Sequence, residues 1–300
     1  MSVSKSYNQK IDFPEWEDYD VYIKREDVLH PHISGNKYRK LYYNLKEAQC
    51  KNHHTLLTFG GAFSNHIAAV SAAGKEANLS TVGVIRGEEL TDKERNETLR
   101  FAEQQGMQLH FVSRTDYKNK TKPEFIEQLQ QQFGHFYLLP EGGTNDLAVK
   151  GCEEILTDDD RRFDYICVAV GTGGTMAGIV KSSYQSQFVY GFSALKGNFL
   201  DQEIKKYTSK TNWKMTDAYS FGGYAKVDQS LIDFINTFKK QTTIPLDPVY
   251  TGKMMYGLSQ YIKQGLFPKK SRILAIHTGG LQGINGMNKK LAQQKLPQLQ

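Results

Sequence analysis

Two short stretches carry residue types that can do covalent and ionic chemistry together. The first is Ser34-Gly35-Asn36-Lys37-Tyr38-Arg39-Lys40-Leu41, shortly after Lys24-Arg25-Glu26-Asp27. A lysine attacks an aldehyde only when its amine is partly deprotonated, so burial or cationic neighbours must lower its ordinary value of ~10.4. Arg39 and Lys40 supply such neighbours for Lys37. The same run also reads as a basic helix start lying in solvent, and its residues alone leave both readings open.

The second stretch is Val168-Ala169-Val170-Gly171-Thr172-Gly173-Gly174-Thr175-Met176-Ala177-Gly178, a strand running through a glycine loop into a helix. Glycines let main-chain amides approach an anion, a helix N-terminus favours negative charge, and Thr172 and Thr175 add hydroxyl donors. A phosphate suits such a loop. A Walker loop would need Lys and Ser/Thr directly after its last glycine, and a dinucleotide fingerprint would need Gly where Met176 stands. Neither pattern is met. A tight turn without a ligand is the competing reading for this loop taken alone.

Positioning these residues requires alternating elements. Apolar, β-rich runs predict strands at Val21–Lys24, Thr55–Phe59, Thr81–Ile85, Leu109–Val112, Tyr165–Val170, Phe188–Phe192 and Ile273–His277. Helical patterns occupy Gly35–Cys50, Ser64–Ala77, Asp92–Gln105, Lys122–Phe133, Asp146–Leu156, Thr175–Tyr184 and Gln229–Phe238. Alternation with short connections predicts an α/β fold with mainly parallel sheets flanked by helices, whose ligands sit beyond the carboxyl ends of the strands. Gly60-Gly61, Gly171–Gly174 and Gly279-Gly280 each follow a predicted strand at that end, so three separate segments point to one site.

The 300 residues suffice for a large core, with 39% hydrophobic and 23% charged residues and no repeat or low-complexity tract. That composition excludes disordered, collagen-like and disulfide-scaffold classes. The net charge of +6 is spread along the chain among acidic residues, without the basic block of a nucleic-acid arm. Cys50, Cys152 and Cys167 are too few and too scattered for a disulfide framework or a zinc site, which fits a reducing cytoplasm. The polar start MSVSKSYNQK and the lack of any ~20-residue apolar run predict neither export nor membrane association.

Further motifs make a resemblance specific. Lys24–Asp27, Gly35–Leu41, Gly60-Gly61-Ala62-Phe63-Ser64-Asn65-His66, Pro140-Glu141-Gly142-Gly143-Thr144-Asn145, Gly171–Thr175, Tyr250-Thr251-Gly252-Lys253 and His277-Thr278-Gly279-Gly280 occur in this order along nearly the whole chain. Together they resemble the 1-aminocyclopropane-1-carboxylate (ACC) deaminase and D-cysteine desulfhydrase family. The resemblance implies a two-domain, fold-type-II enzyme of pyridoxal 5′-phosphate (PLP), like the tryptophan synthase β chain. Residues 1–44 and 146–300 would form the large domain, and residues 45–145 a smaller inserted one.

It also implies roles. Lys37 would hold PLP covalently, Asn36 would contact its ring hydroxyl, and Lys40 with Gly171, Thr172, Gly173, Gly174 and Thr175 would bind its phosphate. Ser64, Asn65 and His66 would hold the substrate carboxylate, with Ser64 also able to move a proton; a structural role for His66 stays open. Tyr224 and Tyr250 match positions beside the ring, where a phenol can orient substrate or move a proton, although core packing accounts for most of the seventeen tyrosines.

One departure bears on the reaction. Established ACC deaminases carry glutamate at the position of Thr251, facing the ring nitrogen. A hydroxyl there leaves the nitrogen neutral and the electron sink weaker, which suits expulsion of a good β-leaving group and disfavours opening an unactivated cyclopropane. His66 and Thr278 also resemble the desulfhydrase branch. The expected activity is therefore β-elimination from D-cysteine to pyruvate, sulfide and ammonia, with ACC deamination and a catalytically weak PLP-binding protein as alternatives. A homodimer is implied as well, acting on a small amino acid and on no nucleic acid, metal or membrane.

Overall fold

The structure is a computed structural model that describes residues 5–197 and 199–300; the first four residues of the polar N-terminal stretch lie outside it. The chain opens with β1 (Asn8–Lys10), β2 (Asp20–Lys24), α1 (Asn36–Cys50), β3 (Thr55–Gly60), α2 (Asn65–Glu76), β4 (Ser80–Arg86), α3 (Glu97–Gln104) and β5 (Met107–Val112). It continues through α4 (Arg114–Tyr117), α5 (Pro123–Phe133), β6 (Tyr137–Leu139), α6 (Asp146–Glu153), β7 (Tyr165–Val170), α7 (Gly174–Ser182) and β8 (Phe188–Ser193). The last elements are α8 (Phe199–Lys205), β9 (Trp213–Thr216), α9 (Gln229–Thr242), α10 (Thr251–Lys263), β10 (Arg272–Ile276) and α11 (Gly283–Gln293).

These strands form two sheets, of order β1-β2-β10-β7-β8-β9 and β5-β4-β3-β6. Every pairing is parallel except that of the short edge strand β1 with β2. The fold is thus α/β with parallel sheets flanked by helices, as the alternation of elements predicts. The central strands are covered on both faces, which is why β3 and β7 read as continuous apolar runs rather than alternating ones.

Differences from the sequence reading have local causes. β1, β6 and β9 span only three or four residues, too few to show a period of two. The helix expected from Asp92 begins at Glu97, because Asn96 accepts from the Leu99 amide and sets the cap there. The one expected from Gln229 to Phe238 runs on to Thr242. α10 and α11 went unpredicted: the residues before them, Tyr250 and Gln282, provide no side-chain cap.

The four-stranded sheet is built wholly from residues 55–139, and the six-stranded sheet from strands on either side of that segment. α1 and α6 pack across the junction so closely that a Cβ at Gly151 would lie 1.9 Å from the Arg39 carbonyl oxygen. Beneath α1, the buried Glu26 carboxylate takes the Arg39 guanidinium in a forked pair at 2.8 and 3.0 Å. This pair fixes the start of α1, and with it the lysines of that first turn.

Candidate active site

A cavity of about 470 Å³ opens where strand carboxyl ends from both sheets meet. α1 enters it through Gly35, whose φ of +60° places it so near the opposite loop that a Cβ would stand 2.0 Å from the Thr278 carbonyl oxygen. Only glycine tolerates that backbone and that approach. The result is that Asn36, Lys37 and Lys40 face inward beside the loop after β10.

Lys37 Nζ donates to the Gly142 carbonyl at 3.2 Å, and Lys40 Nζ to the same oxygen at 3.1 Å and to Thr144 Oγ1 at 2.9 Å. Lys40 also reaches Thr172 Oγ1 at 3.4 Å. Neither ammonium has a carboxylate within 4 Å among the described residues. Burial, and then the charge of Lys40, push the Lys37 amine well below its ordinary 10.5; burial lowers Lys40 too. Lys37 therefore meets the condition for attacking an aldehyde, which the sequence could only suppose.

β7 delivers Gly171, Thr172 and Gly173 to the cavity, and α7 begins at Gly174 with its first amides unpaired within the helix. Asn36 Nδ2 donates to Thr175 Oγ1 at 2.8 Å, tying α1 to α7. On the other sheet, β3 ends in the Gly60–Phe63 loop, and Ser64 caps α2 by accepting from the Ile67 amide. Two helix N-termini, α2 and α7, thus open on one cavity.

His66 is fully enclosed. The Leu139 carbonyl can only accept, so the Thr58 hydroxyl donates to it at 3.0 Å, and His66 Nε2–H donates to Thr58 at 2.9 Å. Nδ1 is left as an acceptor without a hydrogen-bond partner among the described residues. Burial, followed by repulsion from Lys37 and Lys40, holds the ring well below 6.5 and hence neutral.

Tyr250 and Tyr224 close one side, ring centroids 6.2 Å apart and inclined at 64°. Burial raises both phenols above 10, Tyr250 by far the more, so each stays protonated near neutral pH. Of the residues singled out from sequence, Asn36, Lys37, Lys40, Ser64, Asn65, His66, Gly171, Thr172, Gly173, Thr175, Tyr224 and Tyr250 line the cavity. Gly174 lies just behind the wall, and so does Thr251, whose one hydroxyl proton goes to Asp247 Oδ1 at 2.7 Å. Asp247 itself accepts from the Val249, Tyr250 and Thr251 amides at 2.8 to 2.9 Å and thereby fixes the start of α10.

Sequence reasoning passed over several of these groups. Thr144 and Gly142, the lysine partners, lay in a quoted motif without a role. Asp247 gave no signal, because its partners are backbone amides. Lys253 holds the Ser220 and Gly223 carbonyls just before Tyr224 in the chain, and Arg86 stands on the cavity wall at the end of β4.

The donor set can be tested against PLP. A buried lysine whose proton affinity is lowered suits its aldehyde; the unpaired amides of α7, two threonine hydroxyls and a buried ammonium suit its dianionic phosphate; and the volume falls within the usual range for cofactor pockets. The residues fit.

Fold and cavity therefore define a parallel α/β protein whose cavity suits an anionic aldehyde beside a buried lysine. The chain belongs to the family of pyridoxal-phosphate dependent enzymes, whose model matches residues 12–279. It is 33% identical over 291 residues to a Pyrococcus horikoshii protein provisionally named a 1-aminocyclopropane-1-carboxylate deaminase, covering 91% of this chain and 88% of that one. It is 30% identical to the mitochondrial bifunctional D-cysteine desulfhydrase/1-aminocyclopropane-1-carboxylate deaminase of Arabidopsis thaliana, covering 88% and 73%. Among solved structures, an ACC deaminase homologue superposes with a TM-score of 0.83 at 28% identity, over 97% of this chain and 94% of that one.

Proposed function

We propose that this enzyme deaminates a small amino acid by β-elimination, converting D-cysteine into pyruvate, sulfide and ammonia. The observation that carries the reading is Lys37: an amine whose proton affinity is lowered by burial and by Lys40, in a cavity with two helix N-termini and two protonated tyrosines. The Arabidopsis relative's name includes that activity.

Bound here, PLP supplies an electron-withdrawing ring that acidifies the substrate Cα–H. Lys37 would hold the cofactor, and its free amine would take the Cα proton. Lys40, Gly171, Thr172, Gly173, Gly174 and Thr175 hold the phosphate, and Asn36 the ring hydroxyl. Ser64 and Asn65, at the N-terminus of α2, hold the substrate carboxylate. Neutral His66 adds no ion pair there and shapes that subsite instead. The protonated phenols of Tyr224 and Tyr250 orient the substrate and can donate a proton to the departing group.

Thr251 supports elimination over ring opening. Its single proton is committed to Asp247, so this position offers the ring nitrogen neither a carboxylate nor a hydrogen bond. ACC deamination is the second reading, favoured by the names of the relatives. The same proposal includes the division into residues 1–44 with 146–300 and an inserted 45–145, a homodimer and a cytoplasmic setting. No helix among the described residues is long and apolar enough to cross a membrane.

The test is to incubate PLP-loaded protein with D-cysteine, L-cysteine, D-serine and ACC while measuring keto acid, ammonia and sulfide. Sulfide and pyruvate from D-cysteine are expected, with turnover abolished in Lys37→Ala and the fold kept. Formation of 2-oxobutanoate from ACC alone overturns the preference, and a protein that turns over none of them is the weak PLP binder.

A further inference from the structure

Arg86 ends β4 exposed on the cavity wall, its guanidinium over the Tyr117 ring at 5.7 Å from the centroid. It makes no hydrogen bond or ion pair among the described residues, so its fork of N–H donors is uncommitted. The platform beneath it is fixed: Tyr117 is buried and its hydroxyl donates to Glu141 Oε1 at 2.9 Å. Glu141, a carboxylate on the cavity wall, is itself paired with Lys120 at 3.3 Å and forms no ion pair with Arg86. Glycine at position 61 leaves the guanidinium uncovered, since a Cβ there would stand 3.6 Å from Nη2.

The two anions of the proposed reaction already have their places. The cofactor phosphate has Lys40 and the start of α7, and the substrate carboxylate has Ser64, Asn65 and the start of α2. Arg86 lies over the Gly61 end of the loop that leads to α2, its Nη2 3.6 Å from where a Gly61 Cβ would stand, and its charge also acts on the Tyr224 phenol. A planar guanidinium, above an aromatic ring, unpaired among the described residues and on a cavity wall, recognises a carboxylate, phosphate or sulfate group through paired N–H donors.

We propose that Arg86 forms a third anion subsite, which extends the substrate class from D-cysteine to amino acids whose β-substituent is itself anionic, such as a phosphate or sulfate ester. The inference rests on the β-elimination reading of the same cavity. In the reaction, the Cα–H and Cβ–O bonds break, the Cα–Cβ double bond forms, and the Cβ–O electron pair leaves with the phosphate. One water then hydrolyses the resulting enamine, so that phosphoserine and water give pyruvate, ammonium and phosphate. No oxidant or reductant is needed.

The test compares O-phosphoserine with β-chloroalanine, each as both enantiomers, on the PLP-loaded enzyme and on Arg86→Met and Arg86→Lys. β-Chloroalanine carries a neutral substituent that leaves readily, so it reports elimination without the third subsite. Arg86→Met should lower kcat/KM for O-phosphoserine roughly ten- to a hundredfold through KM, the range for a charge-assisted hydrogen bond. β-Chloroalanine should be nearly unaffected, and Arg86→Lys should fall between. The wild-type advantage should shrink as salt is raised, because the subsite is exposed.

Equal losses for both substrates would overturn the proposal, showing that Arg86 guides the α-carboxylate or supports the loop. A wild-type enzyme inert toward β-chloroalanine would instead sink the elimination reading. A calorimetric titration decides Arg86 even then. 2-Amino-3-phosphonopropionate, whose C–P bond does not leave, should bind roughly tenfold more weakly to Arg86→Met, with alanine binding unchanged; equal binding of the phosphonate to both proteins refutes the subsite.

Discussion

Lys253 allows a quantitative test of how the wall bearing Tyr224 is held. Its side chain is 2% exposed, and Nζ donates to the carbonyls of Ser220 and Gly223 at 2.8 and 2.7 Å. Between and beyond those carbonyls the backbone is strained: φ is +54° at Phe221, +90° at Gly222, +119° at Gly223 and +53° at Ala225. The two non-glycine positions cost about 1–3 kcal/mol each, which the surrounding contacts must offset. Burial lowers the amine to about 8. In the unfolded chain it returns to its ordinary 10.5, so between pH 8 and 10.5 the unfolded state binds the extra proton. Stability from this group therefore rises with pH through that window and is lost as pH falls back to 8, an upper limit of roughly 3 kcal/mol. The clamp itself survives deprotonation, since a neutral amine still has two hydrogens for two carbonyls. Lys253→Met removes both effects. Urea unfolding of wild type and variant at pH 7.5 and pH 10 should show the gap between them widening at the higher pH. Activity at pH 7.5 should fall with a raised KM as Tyr224 loses its seat. A gap that does not change with pH refutes the reasoning.

The remaining predictions concern the cofactor end and α1. Lys40→Met should weaken PLP binding roughly ten- to a hundredfold, by the loss of a charged hydrogen bond to phosphate, and should move the pH at which PLP couples to Lys37 upward; absorbance titration reads both. Gly174→Ala would place a Cβ 2.7 Å from Thr144 Cγ2, so purified protein should retain less PLP and lose about 1–3 kcal/mol of stability. Glu26→Gln leaves the Arg39 guanidinium without its buried carboxylate and should cost roughly 3–5 kcal/mol in denaturant unfolding.

The parts of this molecule that were legible in the sequence share a cause. β3 is rich in apolar and β-branched residues, β7 is apolar throughout, and both run into glycines, so strand, loop and helix start are all marked within a dozen residues. The Gly171–Thr175 loop stood out for that reason, whereas Lys37 was read only from the ordered set of motifs around it. α10 did not, because its cap comes from Asp247, four residues ahead of Thr251, and its apolar stripe is broken by Gly252 and Gly257. Thr251, expected to face the cofactor, is fully buried against Asp247 and outside the cavity lining, since the first turn of a helix sends adjacent side chains in different directions. Lys253 and Arg86 read as ordinary basic residues: the partners of one are carbonyls from a distant loop, and the platform of the other is a tyrosine from α4.

The site's charge explains why its lysine and its anion subsites belong together. Helix ends at α2 and α7, with Lys40 and Arg86, make the cavity positive, and an amine placed deep in such a field releases its proton more readily. The same arrangement that gathers a phosphate and a carboxylate thereby readies Lys37 for an aldehyde. The two neighbouring cations are nevertheless not equivalent. Lys40 is buried and acts directly on the Lys37 amine, whereas Arg86 is not among the groups that shift it. Removing charge at Lys40 should therefore change both cofactor affinity and its pH dependence, while removing it at Arg86 should leave cofactor coupling unmoved and alter only which substrates are chosen. A shift in the pH of PLP coupling caused by Arg86→Met would show that the cavity field acts as a whole, and the separation of cofactor chemistry from substrate choice would fail with it.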